Sequence, residues 1–129
     1  MTLPQAKVSR ETARKKTAVE GLSLARMARE VLESKQGDDL VLLDVRGLTS
    51  VTDYYLIASG NSVPHLKALA EELKKVLREQ GIRCFQSSGT PESAWLVEDY
   101  LDVVVHLFTP ETRDYYTLEE LWNDAKRVD

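Results

Sequence analysis

The chain has 129 residues, a net charge of −4 and a charged fraction of 29%, which is typical of an ordinary globular domain. This length favours one domain that buries a core of its own. The single cysteine, Cys84, excludes an intramolecular disulfide and indicates a reducing compartment such as the cytoplasm, and no apolar run is long enough to suggest a membrane partner.

Charge is distributed unevenly along the chain. Residues 1–20 carry five basic and two acidic side chains, a net charge of +3, so residues 21–129 carry −7. The first segment is polar and without periodicity, which predicts a basic flexible tail followed by a single domain over residues 21–129. The acidic domain repels phosphate backbones and lacks clustered basic residues. We therefore expect no direct sequence-specific nucleic-acid binding, and a basic protein as partner.

The predicted elements begin with a helix. Apolar residues recur at helical spacing over residues 24–32, with Ser23 as the expected cap and Gly37 as the stop. Residues 40–43 are apolar at successive positions and Val45 follows Asp44, which indicates a strand over residues 40–45 that is covered on both faces. Tyr54–Ser59 is predicted as a second strand.

The clearest helix follows this second strand. Ser62 caps it, Pro64 suits its first turn, and its apolar spacing continues to Gly81. Residues 82–86 are predicted as a third strand, which would form a crossover unit with the helix and strand two. Residues 87–91 are predicted as a flexible loop.

The last part of the domain centres on a hairpin. Two apolar runs flank a turn-prone segment at residues 99–102, and the second run, residues 103–108, is predicted to cross the middle of the sheet. A short helix begins at Pro110, and Thr117 with Glu120 fits a capping box for another. The predicted fold class is α/β: a single compact domain with a mixed sheet of about five strands flanked by helices.

Four aspartates allow an enzymatic alternative. Asp44, Asp53, Asp99 and Asp102 could hold divalent ions in a metal-dependent nucleotidyltransferase-like enzyme. However, Asp99 and Asp102 stand three apart across a turn, where aspartates commonly accept backbone N–H bonds, and residues 59–62 hold a single glycine instead of a phosphate loop. We expect no catalytic residue, no metal and no cofactor, so that the protein is not an enzyme.

Aromatic residues are the stronger functional signal. Trp95 alternates with Val97 and Asp99 on one face of its strand, and a face that carries an aspartate is unlikely to be fully buried. Tryptophan and tyrosine at such a face are typical interface anchors. Of the neighbours Tyr115 and Tyr116, one should pack and the other should be exposed.

The two histidines and Phe108 are expected to be structural. His65 lies in the first turn of a helix and is predicted to face solvent. His106 stands within an apolar strand and is predicted to be a satisfied core or half-buried histidine, and Phe108 is predicted to pack in the core.

Several motifs in one order resemble the ribosomal silencing factors, also called Iojap-like proteins. The residues that carry the resemblance are Asp44, Val45, Arg46, Gly47 and Leu48; Thr52, Asp53, Tyr54 and Tyr55; Ile57, Ala58, Ser59 and Gly60; Trp95, Glu98, Asp99 and Tyr100; Asp102, Val103, Val104, Val105, His106 and Phe108; and Arg113, Tyr115, Tyr116, Leu121 and Trp122. The match extends from about Leu24 to Ala125.

The resemblance implies a nucleotidyltransferase-like fold without the catalytic motif, often as a homodimer. It also implies binding to the large ribosomal subunit through ribosomal protein fourteen, on the face that meets the small subunit. Such a protein sterically blocks subunit association and represses translation when nutrients are limiting, without a cofactor. The loop at residues 87–93 is less basic than is common in the family, so no ribosomal-RNA contact is expected from it.

Transferred onto this sequence, the resemblance assigns partner-binding residues. They are Trp95, Asp99, Tyr100, Asp102, Arg113, Tyr115 and Tyr116, with His106 and Phe108 as structural support. Trp95 and Tyr116 are the expected anchors. The alternatives to this function are the metal-dependent enzyme and a dimeric scaffold module with no ribosomal role.

Overall fold

A computed structural model describes residues 20–128, so the predicted basic tail lies outside the described residues except for Glu20. The described chain contains four helices and six strands. The helices are α1 (Gly21–Ser34), α2 (Val63–Glu79), α3 (Pro110–Tyr116) and α4 (Leu118–Leu121), with a 3-10 turn at Pro91–Ser93. The strands are β1 (Asp38–Asp44), β2 (Tyr54–Ser59), β3 (Gln86–Thr90), β4 (Trp95–Asp99), β5 (Val103–Phe108) and β6 (Lys126–Val128).

The strands form one mixed sheet in the order β3-β4-β5-β2-β1-β6. β2 and β5 pair in parallel, with Ile57 opposite His106, and the other neighbouring strands pair antiparallel. The predicted fold class and the central place of the second hairpin strand are confirmed. The sixth strand, β6, was not predicted because its three residues pair only with β1 at the sheet edge.

The third strand was predicted in the wrong place. Residues 82–86 are not a strand apart from Gln86, and the predicted loop at 87–91 is largely β3, which pairs with β4 alone. Its polar residues are typical of a loop, but the antiparallel partner supplies backbone hydrogen bonds that override this preference. Gly89 adopts a φ of +82°, and a side chain there would collide with the carbonyl oxygen of Trp95.

The predicted crossover unit is corrected by the same finding. β3 lies at the edge of the sheet and is separated from β2 by both β4 and β5, so α2 does not connect neighbouring parallel strands. The parallel neighbour of β2 is β5, and the chain reaches it only after α2 and the β3–β4 hairpin.

Helix α1 begins earlier than the sequence indicated. Leu24 N–H donates to the carbonyl of Glu20 at 2.9 Å, so the first turn forms before Ser23 and Glu20 is the N-cap. The predicted cap at Ser23 is therefore wrong. For α2 the prediction is confirmed, since the Ser62 hydroxyl accepts from the backbone N–H of His65 at 3.2 Å.

His65 links the start of α2 to the chain that follows α1. Its Nδ1 accepts from the backbone N–H of Asn61 at 2.9 Å, so Nε2 carries the proton and donates to the carbonyl of Lys35 at 2.8 Å. The prediction of a solvent-facing ring holds in part: the side chain is half-buried, because the chain after α1 returns to the N-terminus of α2.

The sheet buries apolar residues on both faces, as predicted for the first strand. Leu42 faces a core beneath α1 and α2, together with Leu56 and Leu107. Val41 and Leu43 face the opposite side, in a smaller cluster against the chain that follows β5. No helix among residues 20–128 is both long and apolar enough to cross a membrane.

Candidate protein-interaction site

Strand β4 presents Trp95, Val97 and Asp99 on the face opposite α1 and α2. These three side chains are half-buried, whereas the intervening Leu96 and Glu98 are buried. The alternation arises because successive strand residues point to opposite faces. The predicted placement of Trp95, Val97 and Asp99 on one partly exposed face is confirmed.

The Trp95 indole is held by contacts on several sides. Its ring centroid lies 4.9 Å from that of Phe108 and 4.6 Å from that of Tyr116. Its Nε1–H donates to Nδ1 of His106 at 3.1 Å. A buried tryptophan N–H normally requires such an acceptor, and this bond fixes the orientation of the ring.

His106 provides that acceptor because it is neutral. Burial lowers its pKa from 6.5 to about 4, and the nearby carboxylate of Asp99 only partly offsets the effect. With Nδ1 accepting from Trp95, the single ring proton is on Nε2. The side chain is only 8% exposed, which confirms the prediction of a satisfied core histidine.

The aromatic contacts continue across the sheet beyond His106. The ring of Tyr55 lies 5.3 Å from His106 and 5.2 Å from Trp122, which closes over the sheet from the C-terminal segment. We call this set the aromatic row; its members are Tyr115, Tyr116, Trp95, His106, Tyr55 and Trp122. Sequence reasoning placed neither Tyr55 nor Trp122 in the site, although both occur in the family motifs. The spacing of Tyr55 could have indicated its place: it lies two residues before Ile57, which pairs with His106, and alternate residues of a strand share one face.

The exposed end of the aromatic row lies on α3. Tyr116 packs on Trp95 and remains 47% exposed, whereas Tyr115 is 80% exposed and meets Tyr116 edge to face at 5.0 Å. The prediction that one of the two tyrosines packs and the other is exposed holds in part, because Tyr116 packs on Trp95 but is itself exposed. Leu121 on α4 is also exposed, at 74%.

A buried arginine holds α3 and α4 against the sheet. Arg113 is 8% exposed; its Nη1 donates to Ser59 Oγ at 2.8 Å, and its Nε and Nη2 donate to the two carboxylate oxygens of Glu119 at 3.1 and 2.8 Å. This hydrogen bonding keeps the pKa of Glu119 below its usual range. The predicted capping box is wrong, because Thr117 has a φ of +45° and donates its hydroxyl proton to the Tyr116 carbonyl.

Replacing Arg113 with methionine should lower the free energy of unfolding by about 2–3 kcal/mol, because three charge-assisted hydrogen bonds are lost and Ser59 loses a buried partner. Urea unfolding followed by circular dichroism measures this change. Arg46→Met is the matched control, since Arg46 pairs with Asp44 in solvent, where an ion pair contributes little. Equal effects of the two substitutions would contradict the role of Arg113.

Two predicted partner contacts are corrected by burial. Tyr100 is 3% exposed and packs in the core beneath α1 and α2, where its hydroxyl has no hydrogen-bond partner among the described residues. Burial raises its pKa. Tyr100 therefore cannot touch a partner, because its side chain lies on the face opposite Trp95. Arg113 is buried as well and acts by positioning α3.

Both aspartates of the hairpin turn accept hydrogen bonds from backbone N–H groups, Asp99 through its carboxylate and Asp102 through its main-chain carbonyl. Asp99 Oδ1 accepts from the N–H of Leu101 at 2.8 Å, which confirms the predicted turn role. Asp102 is half-buried, and its carbonyl accepts from the N–H groups of Asp53 and Tyr54 at 3.2 and 3.1 Å, which joins the hairpin turn to the start of β2.

The carboxylate of Asp44 also has a hydrogen-bond partner within the protein. Arg46 Nη2 donates to its carboxylate at 2.7 Å, and this hydrogen bond lowers the pKa of Asp44. Across residues 20–128, no three side chains of histidine, cysteine, aspartate or glutamate converge so that they could hold a metal ion. The aspartates that suggested an enzyme therefore form no such group within the described part of the chain.

The fold and the site together define a class of protein: a compact α/β domain that displays an aromatic row on one face of its sheet. The family model described as "Ribosomal silencing factor during starvation" matches residues 15–129. The ribosomal silencing factor of Halalkalibacterium halodurans is 40% identical over 106 residues, which cover 82% of this chain and 91% of that protein. This chain belongs to the ribosomal silencing factor family.

Two further comparisons agree with this assignment. A crystal structure of a protein from Chromobacterium violaceum superposes with a TM-score of 0.78 at 37% identity, and the match covers 81% of this chain and 88% of that one. A mouse protein named for mitochondrial assembly of the ribosomal large subunit is 34% identical over 95 residues, which cover 71% of this chain and 42% of the mouse protein.

Proposed function

We propose that the aromatic row docks on ribosomal protein fourteen of the large ribosomal subunit, at the face that meets the small subunit. A domain seated there blocks subunit association sterically and represses translation when nutrients are limiting. Membership of the silencing-factor family supports this function, as does the mouse relative whose name refers to the large subunit. The observation that carries the proposal is the exposed end of the row, where Tyr115, Tyr116 and Trp95 meet.

The site is organised before a partner arrives. Trp95 is held between Phe108 and Tyr116 and hydrogen-bonded to His106, so little side-chain freedom remains to be lost on binding. Buried aromatic anchors of this kind commonly contribute about 2 kcal/mol or more to an interface. Tyr115 is solvent-exposed and therefore has the most surface to bury.

Charge favours the same kind of partner. Residues 21–129 carry a net charge of −7, and complementary charge on a basic ribosomal protein would accelerate the encounter. Asp99 is half-buried on the same face of β4 as Trp95 and supplies a polar group beside the row. Asp102 was predicted as a partner contact as well, but its side chain lies beside Gly21 of α1, which packs on the other face of the sheet. His106, Phe108 and Arg113 support the anchors from below. Occlusion of a surface requires neither catalysis nor a cofactor.

Two further features belong to this proposal. We place the activity in the cytoplasm, where the single cysteine would remain reduced. The chain would also form a homodimer in solution, and sedimentation analysis at decreasing concentration would reveal it. A dimer that persists on dilution while large subunits remain unbound would favour the scaffold alternative instead.

The anchors can be tested by co-sedimentation with isolated large subunits. We expect Trp95→Ala to weaken binding at least about 30-fold, which corresponds to the loss of a 2 kcal/mol anchor. Tyr115→Ala should also weaken binding. Because Tyr115 is 80% exposed, this change leaves the folded domain intact, so any loss is a loss of contact.

Leu48→Ala is the matched control, since Leu48 is 47% exposed on the loop between β1 and β2 and lies outside the aromatic row. Purified ribosomal protein fourteen should reproduce the ranking of the variants. Unchanged binding by both aromatic variants would refute this site, and failure of the wild-type protein to sediment with large subunits would refute the function.

A further inference from the structure

We infer that a groove beside the C-terminal end of α2 binds single-stranded RNA, with Arg78 and Arg83 on phosphates and a base stacked on Phe85. The inference rests on the proposed function, because the large subunit would supply the RNA. The groove would be a second binding surface, separate from the aromatic row, and it would bind a different class of ligand.

The groove collects basic side chains in an acidic domain. It has a volume of about 370 Å³, and its lining residues are Lys74, Arg78, Arg83, Cys84, Phe85, Gln86 and Ser87. Three of these residues are cations and none is a carboxylate, whereas residues 21–129 together carry −7. The prediction that the domain lacks clustered basic residues is therefore wrong at this place. The chain reverses after α2, which places Arg83 beside the last turns of the helix.

The cations of the groove are not equivalent. Lys74 forms an ion pair with Glu98 at 3.3 Å, and Glu98 is 2% exposed and also accepts from the Ser87 hydroxyl at 2.9 Å. Lys74 is thus partly neutralised at the base of the groove. Arg78 and Arg83 are exposed and form no ion pair within the described part of the chain. They are the side chains suited to phosphate oxygens.

An aromatic ring lies among these cations. Phe85 is 37% exposed, and its backbone N–H donates to the carbonyl of Asp99 at 2.8 Å, which attaches the segment to β4. Phosphate binding alone needs no aromatic ring, whereas single-stranded nucleic acid is typically held by cations along the backbone and aromatic side chains under the bases. Arg78, Arg83 and Phe85 offer both.

The position of the groove suits a partner of ribosomal size. Glu98, at its base, and Trp95, in the aromatic row, point to opposite faces of β4, and β3 forms the edge of the sheet beside them. A large surface that wraps around this edge would meet the groove on one side and the aromatic row on the other. Protein would be recognised at the row and RNA at the groove.

Binding to isolated large subunits across a salt series tests the cations. We expect the double variant Arg78→Gln, Arg83→Gln to bind more weakly and to show a salt slope smaller by about 1.4, since each phosphate contact on a single strand contributes about 0.7. The control double variant Arg26→Gln, Lys35→Gln has the same net charge, and both altered residues are exposed away from the groove. It should retain the wild-type slope. Equal slopes for the two double variants would overturn the inference.

Three substitutions of Phe85 test stacking. Phe85→Ala should weaken subunit binding roughly five-fold or more, the range measured for loss of one base–aromatic contact. Phe85→Leu should be nearly as weak, because leucine keeps apolar volume without an aromatic face, and Phe85→Tyr should restore binding. Full activity of the leucine variant would exclude a stacked base.

A nuclear magnetic resonance titration with a short single-stranded RNA tests RNA binding by the groove in the absence of ribosomes. Amide shifts at residues 83–87 in the wild-type protein, absent from the Arg78→Gln, Arg83→Gln variant, would support the inference even if the protein fails to bind subunits. Unperturbed amides there would refute it. If a mononucleotide at equal phosphate concentration perturbs them as strongly, the groove is a small-anion site and the RNA assignment is overturned.

Discussion

Phe108→Ala should lower the free energy of unfolding by about 3–5 kcal/mol, the largest effect we expect from a single substitution. Phe108 ends the central strand β5 and is fully buried. Its ring lies 4.9 Å from Trp95 and is stacked on His106 at 6.1 Å, so alanine would leave a cavity under the aromatic row. Urea denaturation followed by far-ultraviolet circular dichroism measures the loss.

The same variant should loosen the Trp95 side chain, because one of its ring contacts disappears. Near-ultraviolet circular dichroism of the folded variant reports this change. Leu121→Ala removes a similar apolar side chain that is 74% exposed, and its effect should stay within about 0.5 kcal/mol. A loss under about 1 kcal/mol for Phe108→Ala would mean that the row does not depend on this support.

The second large effect is a dependence of stability on pH through His106. Its pKa is about 4 in the folded protein and 6.5 without burial, so the unfolded chain binds the proton more readily. The neutral ring therefore contributes its full stabilisation above about pH 6.5, and this contribution is lost as pH falls towards 4. The gap between the two pKa values corresponds to about 3 kcal/mol. Protonation of Nδ1 would also remove the acceptor of the Trp95 N–H.

His106→Asn isolates this contribution, since the asparagine oxygen can accept from Trp95 but does not titrate. Glu119 and Asp44, whose pKa values are lowered, also destabilise the fold as pH falls, and they remain in the variant. We expect the stability difference between wild type and His106→Asn to shrink by about 3 kcal/mol between pH 7 and pH 4. A difference independent of pH would show that His106 is protonated alike in both states.

Local periodicity was sufficient for much of the fold. The apolar spacing of α1 and α2, and the β-branched run of β5, predicted these elements because their residues bury one continuous surface whatever the partner. The alternation along β4 similarly predicted that Trp95 is partly exposed. Residues 86–90 show where this reasoning fails: their composition is polar, and only pairing with β4 makes them a strand.

The sequence by itself was sufficient to identify the family motifs, the main helices and the central strands, and to predict His106 as a structural histidine. Tertiary structure decided which side chains form the site, because strand register and chain reversal bring together residues distant in sequence. The register of β2 and β5 adds Tyr55 to the aromatic row, and the C-terminal segment adds Trp122. Tyr100 directly follows Asp99 of β4 and packs in the core on the opposite face, since successive residues of a strand and its turn face different sides of the sheet.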